Sequence, residues 1–309
     1  VAAAVHEDDR RGGQVRLGFI GLGAMGLPMT RNLVEAGHTV VVASRSRGPI
    51  DAAVSFGATD GGTVADVVAS SEVVMICVPT SSDVVAVVDE MLGALAPGQT
   101  VIDFSTIDPD VERAQHEKVN AVGASYLDAP MSGGTVGAEQ GTLTLMVGGD
   151  TTVLDKVSQM LGAVSRLVVH VGAPGMGQVV KLCNNLIYAA QMAATAEATA
   201  LALRSGADPA KLYQVLTNST GDCTAVRTRL PVPGVVKDSP ASNAWKPGFM
   251  TDLMAKDLDL ALQYAARSGV SLLTTALTRQ LLTATSRAGH GREDFSTMAK
   301  VVFATAGLE

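Results

Sequence analysis

Val15-Arg16-Leu17-Gly18-Phe19-Ile20-Gly21-Leu22-Gly23-Ala24-Met25-Gly26 is the stretch whose reading decides the fold. Val15 to Ile20 is a short apolar run that reads as a buried strand. Three glycines follow at the spacing G-x-G-x-x-G, and Leu27 to Ala36 then has helical periodicity, closed by Gly37. Thr39 to Ala43 reads as a second strand. Strand, glycine turn, helix, strand is the context in which this spacing signals a dinucleotide site rather than a plain tight turn. Gly21 permits the turn, Gly23 lets a pyrophosphate approach the backbone, and Gly26 lets helix and strand pack closely. The phosphates would rest on N–H groups at the helix start, which makes Gly21, Leu22, Gly23, Ala24, Met25 and Gly26 the expected cradle.

The end of the second strand selects the dinucleotide. An NAD site expects an acidic residue there, to bind the ribose 2′-hydroxyl. The chain instead reads Ser44-Arg45-Ser46-Arg47, with no acid. Arg45 can grip a 2′-phosphate through its guanidinium fork, with hydrogen bonds from Ser44 or Ser46, so NADP is the expected cofactor and NAD a possible one.

The alternation continues. Val73 to Val78 is an all-apolar strand ending at Pro79, and Ser82 to Leu95 reads as a helix with a serine cap. Val101 to Phe104 is a further strand, followed by Ser105-Thr106. Loops at the carboxyl ends of parallel strands face the ligand crevice, which nominates Val78, Pro79 and Thr106 for the nicotinamide side; a helix cap is the bland reading of Thr106. Ser125 to Ala129 leads into Asp128-Ala-Pro-Met-Ser-Gly-Gly134. There Ser132, Gly133 and Gly134 offer a hydroxyl and unobstructed N–H groups, a nest for a carboxylate, against the bland reading of a flexible turn. Thr142 to Val147 and Arg166 to Val171 read as strands, with a helix between them from about Val153. His170, in an apolar strand, reads as a satisfied structural histidine.

Gly175-Met-Gly-Gln-Val-Val-Lys-Leu-Cys-Asn-Asn185 opens an alanine-rich apolar run to about Arg204. Nothing in it breaks a helix, and Lys181 and Asn185, four apart, share one face. Beyond it the chain reads as helices only, with a cap signal at Asp208-Pro209 and a loop-rich stretch from Asn218 to Gly248. The division expected is a loose leader over residues 1–14, an α/β Rossmann domain over 15–173 and an all-α domain over 174–309, joined by the long helix.

Composition narrows the classes. The chain has 309 residues, 47% hydrophobic and 17% charged, with a formal net charge of −7. That supports a large core and argues against a nucleic-acid or anionic-membrane partner. Three cysteines without metal-ligand spacing fit a reducing, cytoplasmic setting and offer no metal site. The run from Leu182 to Leu203 is long enough to raise a membrane span, yet Asn184, Asn185, Gln191 and Glu197 mark it as a buried helix of a globular protein. The long apolar faces after Leu182 exceed what one small helical domain needs, so a homodimer or homotetramer is expected.

With these pieces in place, the chain resembles the β-hydroxyacid dehydrogenase family over residues 15–302, and within it the 3-hydroxyisobutyrate dehydrogenases most. Gly18 to Gly26, Asp128 to Gly134, Gly175 to Asn185 and Leu253-Met-Ala-Lys-Asp-Leu258 carry the resemblance, in this order. It implies hydride transfer between NADP(H) and a small 3-hydroxy acid or its semialdehyde. It implies Lys181 as catalytic acid/base, Asn185 as positioner, Ser132 to Gly134 on the substrate carboxylate, and Lys256 with Phe249 near the cofactor. Two departures stand out: Arg45 replaces the acid usual after the second strand, and Asp222 and Thr224 replace an arginine and a tryptophan that often flank the cysteine. The other readings are a tartronate semialdehyde or other short aldehyde-acid reductase, an imine reductase, and a non-catalytic NADP-binding module. Imine reductases share the fold and NADP signature but usually lack the lysine.

Overall fold

The computed structural model describes residues 2–4, as backbone only, and residues 13–308. Most of the expected leader thus lies outside the described residues. Ala2–Ala4, expected to be loose, instead forms strand β1. The chain divides into two compact units, Val1–Lys181 and Leu182–Glu309. The division falls inside the long helix, eight residues beyond the expected one.

The first unit is built on strands β2 (Arg16–Ile20), β3 (Thr39–Ala43), β4 (Thr59–Asp60), β5 (Val73–Ile76), β6 (Thr100–Asp103), β7 (Ser125–Asp128), β8 (Met131–Ser132), β9 (Leu143–Gly148) and β10 (Ser165–Gly172). Their spatial order is β1-β10-β9-β7-β6-β5-β2-β3-β4, with β8 beside β9. From β4 to β7 every neighbouring pair is parallel. The chain order reverses at β2, so the carboxyl end of β2 is the switch point where ligands bind in such sheets. Beyond β7 the sheet changes sense, with β9 antiparallel to β7 and parallel to β10.

Alternate strand residues feed opposite faces. Leu17, Phe19, Val40, Val42, Val73 and Met75 enter a core covered by helices α1 (Gly26–Glu35), α2 (Arg47–Ser55), α6 (Gly134–Gln140) and α7 (Thr151–Leu161). Ile20, Val74, Ile76 and Val101 enter a second core under α3 (Val64–Ala69), α4 (Ser81–Met91) and α5 (Pro109–Ala121). This two-sided burial explains why the strands read as unbroken apolar runs. Two caps differ from expectation. Thr80, not a serine, caps α4 by accepting from Asp83 N–H. Asp108, not Thr106, caps α5, because Pro109 can take the first helical position without an N–H.

Helix α8 (Met176–Arg204) crosses the division. It is long and apolar enough to span a membrane, with mean hydropathy 1.2 over its most apolar window, of which only 33% is buried. The expectation of a buried helix therefore holds for part of its surface only. The second unit continues with α9 (Pro209–Leu216), α10 (Thr224–Arg229), α11 (Thr251–Arg267), α12 (Leu273–Thr285) and α13 (Met298–Thr305). Its core gathers Ala189, Met192 and Ala196 of α8 with Met254, Leu258, Leu282, Phe295 and Met298. Asp208 caps α9 as its sequence signals.

Candidate active site

The glycine turn separates demands of the fold from demands of a ligand. Gly21 has φ +100°, and a Cβ there would lie 2.2 Å from the Cys77 carbonyl oxygen. A Cβ on Gly26 would lie 2.0 Å from the Gly21 carbonyl oxygen. Neither position tolerates another residue. A Cβ on Gly23, by contrast, meets nothing within 4 Å among the described residues. The fold does not require a glycine at 23, whereas a phosphate pressed on the backbone would. Among the described residues no side chain caps the start of helix α1, which suits an anion at its positive end. The residues present fit a dinucleotide.

Ser44, Arg45 and Ser46 follow β3, as expected. The expectation that no carboxylate stands near Arg45 is corrected by the fold. Asp83, from the first turn of α4, lies 3.0 Å from the Arg45 guanidinium, whose side chain is 80% exposed. Arg47 is held by Asp51 and Asp60. A pairwise reading of the strand end could not see an acid that arrives from another helix.

The carboxyl ends of β5, β6 and β7 are tied to the start of α8 by buried polar groups. Val78 N–H donates to Ser105 Oγ at 2.9 Å, and Ser105 N–H donates to Asp103 Oδ1 at 2.8 Å. Gln178 Nε2 donates to the Ser105 carbonyl at 2.9 Å, and its Oε1 accepts from Ile107 N–H at 3.1 Å. Asp128 accepts from Gly175 N–H at 2.8 Å and Gln178 N–H at 3.2 Å, acting as the carboxylate that α8 lacks at its own start. Burial pushes the Asp103 carboxyl up to about 6. Burial also raises Asp128 and carries Glu112 well above its ordinary range. The expected residues Val78, Pro79 and Thr106 thus belong to segments held in place by Asp103, Ser105 and Gln178, which sequence reasoning passed over. Their only sequence signal was position, next to the motifs.

Ser132 lies in β8, paired with Thr144. Gly133 and Gly134 have φ +141° and +62°, and α6 begins at Gly134. The expected nest is therefore a strand end turning into a helix through two left-handed glycines, not a flexible turn.

Lys181 is 8% exposed, although a lysine in the second turn of a helix ordinarily reaches solvent. Along α8 it shares a face with Asn185. Within the second unit, Asn185 Nδ2 donates to Asp257 Oδ2 at 2.6 Å, and Asn185 Oδ1 accepts from Asn184. Lys256 Nζ lies 3.1 Å from Asp257 Oδ1. Asp257, passed over beside Lys256, is the buried link between these two. Lys256 also lines an open cavity of about 390 Å³ with Asp252, Asp259, Arg279 and Arg287. Phe249 packs edge-on against Phe295, and its N–H donates to Asp294 at 3.1 Å. His170 is satisfied, its Nε2 2.8 Å from the Gly149 carbonyl.

The NAD binding domain of 6-phosphogluconate dehydrogenase matches residues 16–172. The NAD-binding domain of NADP-dependent 3-hydroxyisobutyrate dehydrogenase matches residues 175–302. The chain belongs to the 3-hydroxyisobutyrate dehydrogenase family. Members of that family are oxidoreductases, and this chain is an NAD(P)-dependent dehydrogenase of the β-hydroxyacid type. The NAD-dependent L-serine dehydrogenase of Pseudomonas aeruginosa is 39% identical, over 94% of this chain and 99% of that protein. A probable 3-hydroxyisobutyrate dehydrogenase of Mycobacterium tuberculosis is 40% identical, over 94% and 98%. The structure of a Mycobacterium tuberculosis 3-hydroxyisobutyrate dehydrogenase with L-serine superposes with a TM-score of 0.89 at 38% identity, covering 94% of this chain and 99% of that one.

Proposed function

We propose that this family member transfers hydride reversibly between NADP(H) and the hydroxymethyl carbon of a small 3-hydroxy acid. The observation that carries the reading is Lys181, nearly buried on α8 and four residues from Asn185. When bound, the nicotinamide accepts or donates the hydride. Ser132, Gly133 and Gly134 hold the substrate carboxylate. In oxidation the Lys181 amine takes the hydroxyl proton as the carbon–hydrogen pair leaves, giving the semialdehyde; in reduction the ammonium returns that proton to the carbonyl oxygen. Asn185, its amide fixed by Asp257 and Asn184, positions that oxygen. Phe249 and Lys256 are the proposed cofactor contacts of the helical unit.

3-Hydroxyisobutyrate and L-serine share the skeleton hydroxymethyl–CHX–carboxylate and differ in X, a methyl or an ammonium. That shared skeleton is the proposed substrate class. At the ribose, Arg45 favours NADP. Withdrawing it from an exposed ion pair costs about 0–1 kcal/mol. A charge-assisted bond to the 2′-phosphate returns about 1.5–3 kcal/mol. We also propose a homodimer or homotetramer, since Leu201, Leu273 and Leu277 are 71%, 78% and 74% exposed, and a cytoplasmic setting for its three unpaired cysteines.

The test is initial-rate measurement with 3-hydroxyisobutyrate, L-serine, glycerate and their semialdehydes, each with NADP(H) and NAD(H). The expected result is turnover of at least one hydroxymethyl acid, with kcat/KM higher for NADP(H). Activity only on substrates without a carboxylate would overturn the reading.

A further inference from the structure

We infer that Gln178 is a positioning residue, whose side-chain amide bolts the start of α8 to the strand ends and so sets where Lys181 stands. This rests on the reading of Lys181 as the proton carrier.

Gln178 is fully buried, and both ends of its amide are used. Oε1 takes the Ile107 N–H, while Nε2 serves the Ser105 carbonyl and Glu112 Oε2, the latter at 3.3 Å. Through Ser105 Oγ the link continues to Val78 N–H. One amide therefore joins the loop after β6, the loop after β5 and helix α5 to the first turn of α8. Lys181 follows three residues later on the same rigid helix, about 4.5 Å along its axis. A helix transmits a shift of its first turn to the next turn undiminished. Misplacing a catalytic group by about 1 Å can cost about a hundredfold in rate.

A nearby residue supplies the control. Gln115, on α5, is also buried, but among the described residues its Nε2 donates only to Val111 of its own helix, and its Oε1 has no partner. It is a buried amide without the tie to α8.

The experiment compares Gln178→Met, Gln178→Glu and Gln115→Met by kcat, KM, NADPH dissociation constant and melting temperature. Gln178→Met keeps the shape and removes both hydrogen-bonding ends. Its kcat should fall roughly ten- to a hundredfold. NADPH affinity should fall less than kcat, because the glycine turn and ribose edge are untouched even though the segments of Val78 and Thr106 lose a tie, and Gln115→Met should keep kcat within about twofold. Gln178→Glu retains the acceptor, and when protonated also the donor. Measured in the oxidation direction, where Lys181 acts as a base, its kcat should approach that of the wild type at low pH and fall as pH rises through its ionisation, a fall absent from the wild type. Should Gln178→Met fail to fold, this pH-dependent rescue decides alone. Three results would overturn the inference: Gln178→Met keeping more than half its kcat, Gln115→Met losing as much, or Gln178→Glu behaving alike at every pH. The underlying reading fails separately, if Lys181→Ala keeps its turnover.

Discussion

At the ribose edge, Arg45 meets Asp83 with its side chain 80% exposed. At the strand ends, Gln178 and Asp128 make comparable links with essentially no exposure. Water competes for every contact at the first and none at the second. An exposed ion pair contributes about 0–1 kcal/mol. A buried polar group left unpartnered costs about 1–3 kcal/mol. The first region can therefore change cofactor preference at little cost to the fold, whereas the second cannot change without moving the site. Buried acids reinforce the contrast: Asp103, Glu112 and Asp128 are all pushed up by burial, while exposed Asp60 is lowered, chiefly by the Gly62 N–H and then by Arg47.

The largest effect expected is at Lys181. Lys181→Ala should lower kcat by roughly 10²–10⁴, the usual worth of a general acid/base, with NADPH binding little changed. Stopped-flow turnover and fluorescence titration check both halves.

Next comes the buried region's response to pH. The Asp103 carboxyl is raised from 3.8 to about 6 in the folded protein. The folded state thus holds a proton that the unfolded chain has released, and the resulting stability is full below the unfolded value and lost as pH rises to about 6. At 1.36 kcal/mol per unit this amounts to about 3 kcal/mol across that window. Asp103→Asn keeps an acceptor for Ser105 N–H but has no proton to lose. Urea midpoints measured between pH 4.5 and 6.5 should decline less steeply for the variant than for the wild type. Parallel slopes would show that Asp103 ionises normally.

Smaller effects belong to the exposed edge. Arg45→Ala should weaken NADPH roughly 10- to 150-fold, the equivalent of losing one charge-assisted contact, and leave NADH almost unaffected. Asp83→Asn should release Arg45 and remove a repelling charge, strengthening NADPH by a few-fold, about 0–1 kcal/mol. Calorimetric titration with both cofactors measures each. If Asp83→Asn instead weakened NADPH, the pair would be orienting the arginine rather than competing for it.

Legibility in the sequence followed the range of the interactions. Strands and helices declared themselves because β2, β5 and β6 are buried on both faces and α8 has no breaker. The glycine turn was readable because its spacing is a local motif: Gly26 answers to the nearby Gly21 carbonyl and Gly21 to its own positive φ, although Gly21 is also pressed by the Cys77 carbonyl of a neighbouring strand. Ser132 to Gly134 and Lys181 to Asn185 were visible as local motifs. What was not visible came from partners far along the chain. Asp83 reaches Arg45 from 38 positions away, Gln178 reaches Ser105 from 73, and Asn185 reaches Asp257 from 72. Aspartates and glutamines on polar helix faces look like solvated residues until the fold brings their partners. The cap readings at Ser82 and Thr106 gave way to Thr80 and Asp108 for a milder reason: neighbouring Ser, Thr and Asp residues compete for a cap, and the local turn chooses among them.

The central claim is that the Lys181 amine carries the proton, and chemical rescue tests it most directly. Lys181→Ala leaves a space of lysine-stem size beside a bound substrate, which a small primary amine can enter. Adding methylamine or ethylamine should raise the variant's kcat saturably, by about tenfold or more, with little effect on the wild type. A variant that already turns over at more than half the wild-type rate would contradict the account. So would one that binds cofactor and substrate normally yet gains nothing from any amine.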